Sequence, residues 1–237
     1  MKQDKIWDYF QNQQKEIFYP AIKRQEYLAD KISSLVGDKI IKILNIGVNI
    51  GVGAGDFENI AIKKGWEVYS LDPSKDTISS IKQKLNMGDR AMIGYAQNNP
   101  FENNFFDVVC ASEVLEHLIN EQLEKTMSEI KRVLKAGGYI IGTVPSREDY
   151  DNQITICPKC GEKFHRWGHH QKFDITVVES LVKQNFKVVN IKEVLLISSS
   201  NLNWKGRFCL CIKLLLKSIG IHGSNESVLF IGQKTQI

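Results

Sequence analysis

A chain of 237 residues can bury the core of one sizeable domain. Its 43% hydrophobic and 24% charged residues are ordinary for a globular protein, which excludes disordered and low-complexity classes. The net charge of +4 comes from scattered lysines, so charge gives no reason to expect a nucleic-acid partner, and no apolar run reaches the roughly 20 residues that span a bilayer.

In chain order, residues 2–36 are helical in pattern and rich in aromatics (Trp7, Tyr9, Phe10, Phe18, Tyr19), and read as a helical cap over 1–37. The first residues, Met1-Lys-Gln-Asp-Lys-Ile-Trp7, lack the apolar stretch of a signal peptide, so a cytoplasmic location is expected. Apolar runs at 42–46, 67–71, 91–93, 108–111, 139–144, 188–197 and 228–231 read as strands. Helical patterns at 57–64, 74–85, 121–134 and 175–184 lie between most of them. The alternation predicts an α/β fold, a doubly wound and mostly parallel sheet with helices on both faces. A single domain is expected, with its core over 38–150 and 174–237. A Cys/His segment at 151–173 interrupts it, and a basic, apolar helix at 201–220 precedes the last strand.

Between the first strand and the first helix of the core lies Asn45-Ile-Gly-Val-Asn-Ile-Gly-Val-Gly-Ala-Gly-Asp-Phe57, in which Asn-Ile-Gly-Val occurs twice. Glycines at a strand–helix turn let a nucleotide lie against the backbone and the helix N-terminus. One register ends the strand at Asn45 and uses Gly47 and Gly51; the other ends it at Asn49 and uses Gly51, Gly53 and Gly55. The second gives a compact helix from Gly55 to the turn at Gly65, and is favoured, with the first copy lengthening the strand or forming a bulge. Asp72, at the end of the second strand, is placed to accept both ribose hydroxyls of a nucleoside. A dinucleotide fingerprint needs glycine at the sixth position from Gly51, where Asp56 stands, and this counts against NAD.

Further blocks carry a family resemblance. Asn49-Ile-Gly-Val-Gly-Ala-Gly-Asp-Phe57, Leu71-Asp-Pro-Ser74, Pro100-Phe-Glu-Asn-Asn-Phe-Phe-Asp-Val-Val109, Ser112-Glu-Val-Leu-Glu-His-Leu118 and Arg132-Val-Leu-Lys-Ala-Gly-Gly138 resemble, in order and spacing, the motifs of class I S-adenosylmethionine-dependent methyltransferases. The likeness is greatest to the branch with the ubiquinone and menaquinone methyltransferases. It implies a Rossmann-like sheet of about seven strands with an antiparallel last strand, and S-adenosylmethionine as cofactor. It further implies that Gly51, Gly53 and Gly55 cradle the methionine part and that Asp72, with Pro73, meets the ribose. Tyr95, Ala96 and Gln97 would flank adenine, and Ser112 and Glu113 would line the pocket at the sulfonium. Two positions depart from the family pattern: Asn49 and Tyr95 stand where aspartates are usual.

Methyl transfer from a sulfonium is an in-line displacement, so holding acceptor, methyl and sulfur in line supplies much of the rate. A hydroxyl or amine acceptor also calls for a base; His117, after the fourth strand, is the candidate, with Glu113 and Glu116 as alternatives. The expected reaction is methylation of a small-molecule acceptor, with oxygen favoured. An NAD-dependent oxidoreductase and a non-catalytic, zinc-stabilised binding module are the alternatives.

Cys157 and Cys160 flank a tight Cys-Pro-Lys-Cys-Gly turn, followed by His165 and His169. Two thiolates and two imidazoles can close a tetrahedral structural Zn2+ site, with His170 competing for the fourth place. Such an insertion would sit on the cofactor edge of the sheet and wall the acceptor pocket, where Arg166, Trp167 and Lys172 are possible contacts. The basic, apolar segment 204–217 reads as a lid packed on the domain or on a second subunit. Contact with a membrane or lipid-like acceptor is the alternative, and a homodimer is possible.

Overall fold

The structure is a computed structural model, and it describes residues 19–37, 39–48, 55–196, 203–218 and 226–235. The main sheet has seven strands: β1 (Lys42–Ile46), β2 (Glu67–Asp72), β3 (Ala91–Ile93), β4 (Phe106–Ser112), β5 (Leu134–Pro145), β8 (Lys187–Val194) and β9 (Ser227–Gln233). Their order is β3-β2-β1-β4-β5-β9-β8. All pairings from β3 to β5 are parallel, and β9 runs antiparallel to both β5 and β8. This is the Rossmann-like sheet with an antiparallel last strand that the motifs imply. A separate hairpin, β6 (Ile154–Ile156) with β7 (Lys163–His165), lies within the 151–173 insertion.

Helices cover both faces. On one side α1 (Tyr19–Val36), α2 (Asp56–Lys63) and α3 (Lys75–Leu85) bring Leu28, Ile32, Phe57, Ile78 and Ile81 onto Ile43 and Val68. On the other, α4 (Asn120–Val133) and α5 (Ile175–Lys183) bring Leu123, Met127, Ile130, Val178 and Val182 onto Leu44 and Val109. The spacings 123, 127, 130 and 178, 182 are those of a helix with one apolar stripe. The inner strands are apolar on both faces, as a sheet covered on both sides requires. Helix starts are set by short polar caps. The Ser74 hydroxyl accepts the Thr77 N–H at 3.3 Å, and the Asp174 carboxylate accepts the Val177 N–H at 2.8 Å.

α1 is a core helix, since Leu28, Ala29 and Ile32 are fully buried. The remainder of the expected N-terminal cap lies outside the described residues. The last helix, α6 (Trp204–Ser218), matches the expected segment but is exposed along most of its length. Among the described residues no helix is long and apolar enough to cross a membrane.

Candidate functional site

The C-terminal ends of β1, β2, β4 and β5 form one edge of the sheet, and the sequence motifs converge there. The first correction concerns the doubled Asn-Ile-Gly-Val. β1 ends at Ile46, within the first copy, and not at Asn49. Gly47 turns the chain with φ +77° and donates its N–H to the Leu71 carbonyl at 3.0 Å. A side chain there would be blocked, because an added Cβ would lie 2.5 Å from Val114 Cγ2. Asn45 therefore sits inside the sheet, buried, and its amide donates to Glu58 Oε1 at 2.8 Å. Ser70, its neighbour on β2, donates to the same oxygen at 2.7 Å. The first copy ties α2 to β1 and β2 by this buried triad. Burial pushes the Glu58 carboxyl upward, against the two hydrogen bonds.

The helix lies where the spacing from Gly55 to Gly65 predicts it: Gly55 precedes α2, in the left-handed region at φ +76°, and α2 runs to the turn at Gly65. Asn49, Gly51 and Gly53 lie outside the described residues. Asp72 is buried at the end of β2. Its two carboxylate oxygens accept the N–H groups of Val48 and Ser74, each at 2.8 Å, which fixes the carboxylate at the C-terminal end of β2. Pro73 follows it. Tyr95 is half exposed, and Ala96 and Gln97 form a short turn after β3 with Ala96 buried. This loop is tied back to β2 by the Gly94 N–H, which donates to the Asp72 carbonyl at 3.1 Å.

β4 ends at Ser112, whose hydroxyl is 2.9 Å from that of Thr143 on β5. Glu113 follows in the left-handed region at φ +55°, a strained state for this residue. Its N–H donates to the Thr143 carbonyl at 2.7 Å, and its carboxylate lies 3.6 Å from Arg24 of α1. One turn on, Glu116 and His117 are both buried.

The insertion docks on this turn. The N–H groups of His170 and Gln171 donate to the Glu116 carbonyl at 2.7 and 3.1 Å, and the Gln171 amide donates to the Leu118 carbonyl at 2.8 Å. The structure does not bring Cys157, Cys160, His165 and His169 together. The reason is hairpin register: His165 pairs with Ile154 at the base, while Cys157 hydrogen-bonds across to Glu162 at the tip. The intervening strand residues separate the two ends by about 10 Å. Cys160 is exposed, and the Cys157 thiol is held below its ordinary range by the N–H groups of Cys160 and Lys159.

The imidazoles instead pack inward. His165 and His169 stack at 4.6 Å, and His117 meets His169 edge-on at 4.7 Å. Among the described residues, two sets of potential ligand atoms, each within 4.8 Å of one another, share His169: Glu116 with His117, and Glu148 with His165. Hydrogen bonding separates the two. His165 Nδ1 accepts the N–H groups of His169 (3.2 Å) and Trp167 (3.4 Å), so its proton is on Nε2, which faces Glu148. His117 Nδ1 donates to the Gly168 carbonyl at 3.2 Å, and His169 Nδ1 donates to the Glu148 carboxylate. These bonds use Nδ1 of both rings, and His117 Nε2 lies 3.9 Å from Glu116 Oε1. Metal-binding histidines are oriented in this way, by a carbonyl or carboxylate on the far nitrogen. Neither carboxylate oxygen of Glu116 has a hydrogen-bond partner among the described residues. Burial, reinforced by Glu113, raises the Glu116 carboxyl well above its ordinary range, and burial lowers His117 to about 3. The sequence singles out Glu116 only as an alternative base and does not point to Glu148; the meeting of Glu116 and His117 with His169 depends on the fold of the 151–173 segment.

Comparison with known proteins agrees with the edge just described. Residues 48–142 match a family model described as a methyltransferase domain. An uncharacterized methyltransferase of Bacillus cytotoxicus is 23% identical over 180 residues, covering 73% of this chain and 78% of that protein. An uncharacterized protein of Methanocaldococcus jannaschii is 33% identical over 147 residues, covering 62% of this chain and 65% of that protein. More distant relatives include a sterol 4-C-methyltransferase of Caenorhabditis elegans (31% identical, 56% of this chain, 38% of that protein). A sarcosine/dimethylglycine N-methyltransferase of Aphanothece halophytica is 27% identical (56% of this chain, 47% of that protein). Among solved structures, the Burkholderia thailandensis 1,6-didemethyltoxoflavin-N1-methyltransferase with bound S-adenosylhomocysteine superposes with a TM-score of 0.66 at 13% identity, covering 97% of this chain and 86% of that one. The motifs and the matched segment 48–142 agree in resembling a methyltransferase domain, and the sheet has the fold of the solved structures it superposes on. These similarities favour the methyltransferase reading over the oxidoreductase alternative.

Proposed function

We propose that the chain moves the methyl group of S-adenosylmethionine to an oxygen of a small-molecule acceptor, and that a divalent cation held by Glu116, His117 and His169 positions that oxygen. The named relatives do not select the acceptor, since their printed names cover carbon and nitrogen positions of different molecules. The observation that carries the oxygen reading is the buried Glu116–His117–His169 cluster beside Ser112 and Glu113. Two imidazoles and one carboxylate suit a first-row divalent cation and leave coordination positions open for an acceptor.

The cofactor roles follow the motif positions. Asp72, already oriented by Val48 and Ser74, meets the ribose hydroxyls. Pro73 shapes that turn, and Tyr95, Ala96 and Gln97 flank adenine. Asn49, Gly51, Gly53 and Gly55 hold the methionine part, and Ser112 and Glu113 face the sulfonium. In the transfer the S–CH3 bond breaks as the O–CH3 bond forms, the sulfonium becomes a neutral thioether, and the acceptor's proton leaves to solvent or a nearby carboxylate. A bound cation would acidify the acceptor hydroxyl and fix its distance from the methyl group. His117 is thereby reassigned from base to ligand. Glu148 and Gly168 act through it and His169 by orienting the two rings through Nδ1.

Titration with Mn2+, followed by electron paramagnetic resonance, tests the reading. One site is expected in the wild type and none in His169→Ala, with S-adenosylhomocysteine affinity unchanged. Absence of Mn2+ and Zn2+ binding by the wild type, or labelled-methyl transfer indifferent to a chelator, would refute the cation's role.

A further inference from the structure

We propose that α6 docks the chain onto an anionic lipid surface, an interaction that goes beyond the reaction proposed above and does not depend on it. α6 is a capped helix: the Asn203 side chain accepts the Gly206 N–H at 2.9 Å, and the Asn203 carbonyl accepts the Arg207 N–H at 3.0 Å. At about 100° per residue, Trp204, Phe208, Cys211, Ile212 and Leu215 fall on one stripe. That stripe faces outward, with Trp204 74%, Phe208 63% and Leu215 67% exposed. The half-buried residues, Gly206, Leu210 and Lys213, lie on the opposite side. A helix of a water-soluble domain ordinarily turns its apolar stripe inward. Here an apolar stripe is turned outward as well, and it includes aromatic rings suited to the boundary between headgroups and acyl chains.

Charge selects the occupant. Lys205 and Arg207 border the apolar stripe on its two sides, and there is no Asp or Glu from 203 to 218. Two copies meeting through this face would bring like charges together. A surface of anionic headgroups complements the basic border while its acyl region receives the stripe. The position of the helix agrees with this. β8 ends at Val194 opposite Ser227, where β9 begins, and Ser227 is opposite Pro145 at the end of β5. The chain therefore leaves for α6, and returns from it, at the same sheet edge that carries the cofactor motifs. Docking through α6 would hold that edge near the lipid.

Co-sedimentation with phosphatidylglycerol-containing vesicles and with pure phosphatidylcholine vesicles tests the proposal. The wild type should partition to the anionic vesicles more strongly, on the order of tenfold for the basic residues of one helix, and less as salt rises. Phe208→Glu combined with Leu215→Glu should abolish capture. Equal binding of S-adenosylhomocysteine by both proteins would show that the variant is folded. Failure of the wild type to sediment with anionic vesicles, or capture unchanged in the double variant, would overturn the proposal. So would a wild-type dimer that the double variant converts to monomer without any vesicle capture, since it would give the stripe to a second copy.

Discussion

Gly47→Ala is the sharpest probe of how the doubled Asn-Ile-Gly-Val is used. The backbone at Gly47 has φ +77°, where a side chain costs roughly 1–2 kcal/mol. The new Cβ would lie 2.5 Å from Val114 Cγ2, and the next nearest atom, Val114 Cβ, is already at an ordinary 3.8 Å. Forcing such a contact costs about 1–3 kcal/mol, so the substitution should destabilise by about 2–5 kcal/mol in total. Only the second part depends on Val114. In the Val114→Ala background the clash is gone, and Gly47→Ala should then cost only the backbone part, about 1–2 kcal/mol. The coupling between the two sites is thus expected at about 1–3 kcal/mol, read from urea unfolding of the four proteins. Coupling below about 0.5 kcal/mol, the range of independent sites, would refute the packing of the first copy against the turn after β4.

Other expectations follow from the same structure. Glu58 holds its proton to a higher pH in the folded chain than in the unfolded one, so folding binds protons and wild-type stability should fall as pH rises above the ordinary carboxylate range near 4.5. Glu58→Gln should flatten that profile in chemical denaturation at a series of pH values; an unchanged slope would contradict the burial of a protonatable group there. An Ala at Gly142 would place its Cβ 1.9 Å from the Ala111 carbonyl oxygen, so Gly142→Ala should lower the thermal midpoint with a cost at or above the upper end of about 1–3 kcal/mol. Cys157→Ser with Cys160→Ser should leave Mn2+ binding at Glu116, His117 and His169 intact, and loss of that binding would tie the thiols to the same ion.

Much of the sheet was legible because its signals are local. Each of the seven apolar runs became a strand of the main sheet, and the four helical patterns between them became α2 to α5. Buried parallel strands need continuous apolar runs, and surface helices need one stripe, so both leave periodic marks. The boundary at β1 was misjudged for a physical reason. Spacing from Gly55 to Gly65 located the helix correctly but says nothing about where the preceding strand stops. That point is set by Gly47 packing on Val114, which lies 67 residues away in sequence. The Cys/His segment failed in the same way. Ligand spacing suggested one closed tetrad, whereas hairpin register sends the thiols to the tip and His165 to the base. His169 reaches Glu116 and His117 only because the insertion folds back on the turn after β4. Long-range contacts of this kind have no periodicity to read.

Calorimetric titration with S-adenosylhomocysteine tests the central claim most directly, because it asks whether the edge built from β1, β2 and β4 holds the cofactor. The wild type should bind it in preference to NADH, and Asp72→Ala should bind at least about tenfold more weakly, the loss of charge-assisted hydrogen bonds to the ribose. Equal affinity in the two proteins, or a preference for NADH, would contradict the account.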